Sequence, residues 1–441
     1  AGSVSFIRPD TKTRASIAGR VDAGGNVIVT ADGDAAITVD SGTASFGTSA
    51  GAAASVAALV KNDETEAFLA DTADVTARGN GTATTVKTGL RDVPGNEITR
   101  SVLGLWVGAT SEDIVLTTVA GGQNSGTGGA AGSLIFSVLN ETTRAYLGPG
   151  ARVNVGLLAA GGLPLDQSVR VWAASRTVMN NEAGADVAGN VIGAGAGVDF
   201  LALTKLTEAK VGGTVEANRD VETRAFTEED LTSRTGTTGL AFVTAFGGAA
   251  GAHALEITSK ASIADGANVR AEGSVVVTAD AASEIDIVTG DRNASTGAAG
   301  GASASAVVID RTTEAFIGTG AQVVALGLRN PVEAHNGAFN ITFVSDVTGG
   351  GDVGVPNFLD DLFNLLSFIL DNTIRFDVAA VVEEMLGEAA GDFVAGILDL
   401  TSVGAPPEDD SFSEQRRSRP GTTAVRGVAV TATARDDVEA R

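Results

Sequence analysis

Thr313–Ala325 reads TEAFIGTGAQVVA, and Gly273–Asp280 reads GSVVVTAD. The second stretch returns as GNVIVTAD from Gly25, QSVRVWAA from Gln167 and RGVAVTAT from Arg426. Val27, Val169, Val275 and Val428 fill one position; Val29, Val171, Val277 and Val430 fill the next but one, and Ala31, Ala173, Ala279 and Ala432 the third. Between them stand Ile28, Arg170, Val276 and Ala429, then Thr30, Trp172, Thr278 and Thr431. Successive strand residues point to opposite faces, so the constant Val-x-Val-x-Ala set is expected inside and the variable set outside.

The TEAF-type stretch has its own copies: TRASIAGRVDA from Thr13, TEAFLADTADVTA from Thr65, TRAYLGPGARVNV from Thr143, TEAKVGGTVEA from Thr207 and SKASIADGANVRA from Ser259. Its anchors are Ala15, Ala67, Ala145, Ala209, Ala261 and Ala315, separated by 52, 78, 64, 52 and 54 residues. A unit of 52 residues, enlarged where loops are inserted, is the sign of a repeat architecture. A turn of parallel β-helix takes about 20–30 residues, so each unit is read as two such turns. Gly24-Gly25-Asn26 and Asp265-Gly266-Ala267-Asn268 supply the corners, because Gly, Asn and Asp tolerate positive φ.

Composition agrees with thin stacked layers. Hydrophobic residues make up 44% of the 441, aromatics only 5%, and there are 57 glycines. Small and β-branched side chains must therefore fill the interior. The net charge is −24, with six lysines at 12, 61, 87, 205, 210 and 260. Such a surface repels nucleic acid and anionic lipid, and neither is expected as a partner. Cysteine is absent, which removes disulfides, thiolate metal sites and a cysteine nucleophile. Nothing at Ala1 resembles a signal peptide and the chain does not begin with Met, so it reads as a mature piece or an internal fragment. The Gly/Ala-rich run from Gly239 to Ile257 is read as packed coil, not as a membrane span.

The expected organisation is a repeat region over 1–355, an amphipathic helical insertion over 356–400, a charged flexible loop over 401–423 and a resumed strand over 424–441. Phe358, Leu362, Leu365, Leu366 and Ile369, then Val378, Val381, Val382, Met385 and Leu386, carry the helical spacing. The insertion is expected to pack on the repeats; a protomer contact or partner-binding site is the alternative, and membrane association is a third reading that its acidic polar face weakens. The run Arg416–Arg419 is read as solvated loop. The fold class is thus all-β: a right-handed parallel β-helix, or β-solenoid, with a short helical insertion near the C-terminus.

These alternating motifs resemble the repeats of very large bacterial filamentous, haemagglutinin-like β-helical adhesins. The resemblance is fullest at Thr313–Ala325 and Gly273–Ala279 and covers residues 1 to about 350 and the last twenty or so. It implies a secreted or cell-surface rod with surface glycans as a candidate ligand class, and it carries no catalytic residues to these positions. The runner-up is a carbohydrate-active β-helix enzyme or receptor-binding spike, which three Arg or Lys side chains converging with carboxylates in one groove would favour.

Catalytic chemistry finds little footing in the sequence, and no catalytic, cofactor or metal residues are assigned. Glycan-processing sites need clustered carboxylates, often beside aromatic platforms. Here Trp106, Trp172 and Tyr146 stand apart, and the acidic residues look scattered at turns. His253 and His335 lie in different units and are read as surface or turn residues, not metal ligands. Calcium is the one cofactor considered, at Asp32-Gly33-Asp34 and Gly350-Gly351-Asp352; solvated turn aspartates are the alternative. Asp436–Arg441 resembles the lead-in to another unit and Ser5–Ala15 matches Ser305–Ala315. The expected partner is therefore another stretch of the same repeat, in a longer chain or in a second copy stacked head to tail.

Overall fold

The structure, a computed structural model, describes residues 1–92, 95–189, 191–336 and 421–440. Its described residues form an all-β protein dominated by long parallel strands. The chain runs through three parallel sheets in the same order, pass after pass: a first long sheet, a short sheet, then a second long sheet.

The first pass holds β1 (Gly2–Ile7) and β2 (Asp10–Ile17), then β3 (Arg20–Ala23), then β4 (Val27–Asp32) and β5 (Ala35–Gly47). The second holds β6 (Ala50–Leu69), β7 (Asp74–Ala77), the hairpin β8 (Thr84–Arg91) and β9 (Glu97–Val102), and β10 (Gly104–Ser125). The third holds β11 (Gly128–Leu147), β12 (Arg152–Val153) and β13 (Ser168–Gly189). The fourth is β14 (Ile192–Val211), β15 (Thr214–Ala217) and β16 (Val221–Ala241); the fifth is β17 (Thr244–Ile263), β18 (Asn268–Ala271) and β19 (Val275–Ala294). The sixth holds β20 (Ala298–Ile317), β21 (Gln322–Ala325), β22 (Val332–His335), β23 (Thr422–Val425) and β24 (Val428–Ala440).

Register accounts for the repeat spacing residue by residue. Ala15 pairs with Ala67, Ala67 with Ala145, Ala145 with Ala209, Ala209 with Ala261 and Ala261 with Ala315. One sequence unit is therefore one pass, not two turns of a narrower helix. The turn size was misjudged because strands of about 20 residues replace the short strands that the smaller estimate presumes.

Inward side chains form columns that cross the sheets. Next to the short sheet, all three sheets share one Val/Ala/Leu core, in which Ala67, Ala145, Ala209 and Ala261 stack beside Val171, Val221 and Val277. Beyond it runs a hydroxyl column of Thr13, Thr65, Thr143, Thr207, Ser259 and Thr313. A charged zone follows, then a second aliphatic core with Leu59, Leu139, Met179 and Leu203. Outside, the column after the hydroxyls alternates in sign: Arg14, Glu66, Arg144, Glu208, Lys260, Glu314. Arg14 Nε lies 2.9 Å from Glu66 Oε2 and Arg144 Nε 3.6 Å from Glu208 Oε2. Parallel in-register strands place like positions side by side, so alternating sign avoids the repulsion that a conserved charge would bring.

The Val-x-Val-x-Ala set faces the core in β4 and β19, with Ile28 and Thr30 exposed on the other face. Two findings correct the simple alternation. Val276 and Thr278 point away from that core yet are fully buried, because β22 lies over them and Val276 packs on Val332 and Ala334. In β24 the set Val428, Val430 and Ala432 keeps its register with β19 but is exposed, since no further described strand stacks over it. The expected helices over 356–400 and the run Arg416–Arg419 lie outside the described residues. The segment expected to be loop up to residue 423 already enters β23 at Thr422, which pairs antiparallel with β22.

Candidate functional site

Every long departure from the 52-residue unit falls at the same corner, between the short sheet and the second long sheet. Residues 78–103 carry β8 and β9 there, residues 154–167 form a loop, and residues 326–427 include β22 and β23. The corners without insertions need three residues, as at Asn218–Asp220. Asn154, in the left-handed region at φ 56°, starts the loop; its side chain accepts from Ala77 N at 2.8 Å and donates to Glu216 O at 3.1 Å. Asn tolerates that backbone and bridges two passes from it. Asn218 is gripped by two insertions: Gln167 Oε1 accepts from its backbone N at 3.1 Å, and Arg329 donates to its carbonyl at 3.0 Å.

Strands β8, β9 and β22 roof the outer face of β10, β13 and β16. Trp106, Trp172 and Phe226 form an aromatic row beneath them, the Trp rings 5.6 Å apart and Trp172 4.8 Å from Phe226. Trp172 Nε1 donates to Thr88 O at 2.7 Å, which ties β8 to the sheet. Trp106 lies flat over Gly108, where any Cβ would strike its indole.

Beside this row three arginines meet one carboxylate. Arg100 Nη2 and Arg170 Nε reach Glu222 Oε1 at 2.7 and 2.8 Å, and Arg224 Nε reaches Oε2 at 2.9 Å. Arg170 also donates to Ser101 O at 3.3 Å and Arg224 to Glu333 O at 2.6 Å, so both hairpins close on the cluster. Arg100 and Arg224 stand 5.6 and 6.0 Å from the Trp172 ring, close enough for cation–π attraction. Burial alone would raise the Glu222 carboxyl, but Arg224, Arg100 and Arg170 override it and hold it well below the usual carboxylate range. Arg100 is lowered by burial, with Arg170 and Arg224 adding to the effect. Such a carboxylate is a permanent anion and a poor proton donor.

A second polar assembly lies between the long sheets. Lys61 Nζ is 2.7 Å from Asp113 Oδ2 and also meets Asp63; Lys205 Nζ is 3.2 Å from Glu229 Oε1 and 3.8 Å from Glu141 Oε2. Burial, with Asp113 nearby, pushes Glu141 up to about 7 against the pull of Lys205 and Lys61. Further along, Asp199 accepts from Asn181 Nδ2 at 2.9 Å and from Ser233 Oγ at 2.5 Å, and faces His253 Nε2 at 3.2 Å. Ser233 bonds the carboxylate, not the imidazole, so no serine–histidine nucleophile pair is formed.

The sequence-based readings of these residues need correction. His253 is a core residue at 1% exposure, not a surface one. His335 sits in β22, 6.0 Å from Phe226, its pKa lowered by burial although Asp280 opposes this. Several acids are interior strand residues: Asp63, Asp113, Glu141, Asp199 and Glu229. Arg170 and Trp172 do face outward but are covered. Tyr146 stacks on Phe68 at 4.8 Å on the first long sheet, whereas both tryptophans lie on the second. At the calcium candidate, Asp32 accepts from Thr110 Oγ1 at 2.6 Å and Lys87 Nζ at 3.2 Å, and Asp34 from Glu112 N at 3.0 Å. No group of three or more metal-ligating side chains occurs among the described residues, and Asp352 lies outside them. No described helix is long and apolar enough to cross a membrane.

The fold and the cluster define a class, an all-β protein of stacked parallel strands with one decorated corner. No protein-family model, curated protein or solved structure matches the chain.

Proposed function

We propose that this chain is a right-handed β-solenoid that serves as an extracellular structural or adhesive rod on a bacterial surface. The observation that carries the reading is the in-register stacking of six passes, with decorations confined to one corner. Right-handedness follows from the rule for parallel crossovers. Each pass adds about 4.8 Å along the stack, whereas a 20-residue strand spans roughly 65 Å. A rod of useful length therefore needs further passes, from a longer chain or from a second copy stacked on an open sheet edge. The acidic, cysteine-free composition suits that setting.

The experiment is to insert a second copy of residues Thr244–Gly297, one whole pass, after Gly297. A solenoid accepts the extra 54 residues and melts cooperatively at an equal or higher temperature, and sedimentation of the parent chain shows concentration-dependent growth. An aggregated or unfolded duplication, together with a strictly monomeric parent, sinks the reading. For the adhesive role, beads coated with the chain should bind a glycan-bearing surface, and beads coated with a hairpin-deleted chain should bind it less.

One observation favours a second reading, a carbohydrate-active enzyme or receptor-binding spike: Arg100, Arg170 and Arg224 converge on Glu222. The enzyme version is the weaker, because Glu222 is held ionised by three cations and cannot serve as the general acid that glycoside cleavage requires. Release of unsaturated or reducing sugars from acidic polysaccharides would restore it.

A further inference from the structure

The arginine cluster is unbalanced. Three guanidinium groups share one carboxylate, an excess of two positive charges in a chain whose net charge is −24. The surrounding charges cancel the excess only in part. Asp220, paired with Arg219, also acts on Arg170, while Asp280 is paired with Arg435 and Asp32 with Lys87. Glu333 contributes its backbone carbonyl to Arg224. Arg170 and Arg224 are both nearly inaccessible and share the one Glu222 carboxylate with Arg100, so their charge is costly to bury. Each guanidinium offers five N–H donors. Among the described residues, Arg100 makes one hydrogen bond from them, Arg170 two and Arg224 two.

The seam is also open on one side. The Arg100 side chain retains 29% exposure, while Glu222 behind it has 1%. Arg100 comes from β9 and Glu333 from β22, so the cluster joins elements from distant parts of the chain. Guanidinium forks at fixed spacing, stacked near an indole face, suit a planar or tetrahedral oxyanion, which takes parallel N–H bonds from each fork.

We propose that the seam between β9 and β22 binds an oxyanion, a sulfate-type group, on Arg100, Arg170 and Arg224, with Glu222 holding the three forks in place. The anion supplies the missing negative charge and the acceptors for the remaining donors. The source of the group is either the free ion or a sulfate ester on a saccharide. The proposal does not rest on the rod reading, because a globular protein with the same cluster would bind in the same way.

Titration calorimetry on the full 441-residue chain tests it, with inorganic sulfate in one arm and a sulfated disaccharide in the other, at constant ionic strength. Sulfate stabilises folded proteins generally by exclusion from their surface, so melting temperature alone does not decide. Wild type is expected to bind with saturable heat, and Arg100→Ala to bind at least fivefold more weakly while keeping its β circular dichroism. A disaccharide at least tenfold tighter than inorganic sulfate identifies an ester-bearing saccharide, and equal affinities identify the free ion. No saturable heat in either arm, or equal affinity in wild type and Arg100→Ala, overturns the proposal.

Discussion

Val171 and Ala173 of β13 face the stacked core, whereas Arg170 and Trp172, one residue away on the same strand, face the roofed cluster. The inner column barely changes from pass to pass: Ala31, Ala109, Ala173, Ala225, Ala279. The outer one changes at every step: Ile28, Trp106, Arg170, Glu222, Val276. An inner side chain touches its own equivalents above and below, so its volume is set by the repeat itself. An outer side chain touches whatever the corner insertions bring. Constancy inside maintains the register, and variation outside leaves room for a site.

The outer side is where one substitution should cost most. Glu222→Ala leaves three buried or half-buried arginines without their carboxylate. It is expected to lose about 3–5 kcal/mol of stability in denaturant unfolding; a loss below 1 kcal/mol would mean that water already solvates the cluster.

The interior charged zone tests the comparison through pH. Glu141 titrates at about 7 in the folded protein, against 4.5 as its ordinary value. A carboxyl whose folded pKa is raised is stabilising while protonated, so its contribution is full below pH 4.5 and is lost as pH rises through 7. Glu141→Gln mimics the protonated form and can still accept the Thr177 hydroxyl bond. Relative to wild type it should gain up to roughly 3 kcal/mol between pH 5 and pH 8. Parallel unfolding curves across that range would show that Glu141 is not the group responsible.

Ala279→Leu and Ala282→Leu compare the two faces directly on β19. The inner change overpacks a filled column and should cost roughly 1–3 kcal/mol. The outer change, at a half-buried position, should stay within about 0.5 kcal/mol. Equal costs would erase the distinction. The smallest effect is expected at the outer charge ladder. Arg144→Glu places three glutamates in a row with Glu66 and Glu208, at a cost of up to about 1 kcal/mol that salt should reduce.

Much of the stack was readable in advance. The anchor alanines pair with one another, and the spacings of 52, 78, 64, 52 and 54 are the sheet registers. The cluster was only half readable. Arg170 and Trp172 stood out as unusual residues in the variable set, and the spacing of 78 marks the β8–β9 insertion that covers them. Arg100 gave no signal, because it belongs to a hairpin without repeat character. The buried acids were missed for a related reason: Asp113, Glu141 and Glu229 sit at inward parity, but polarity argued for turns.

The sequence by itself determined the β class, the inward face of the Val-x-Val-x-Ala set and the existence of the repeat. Those follow from a period of two and from repetition, which are local properties of the chain. Only the tertiary structure decided the size of a pass and which outward residues are covered, and it alone paired the buried charges. Arg100, Glu222 and Glu333 lie more than a hundred residues apart along the chain. Their meeting depends on insertions folding back over one corner, and a pattern with a short period carries no record of contacts at that separation.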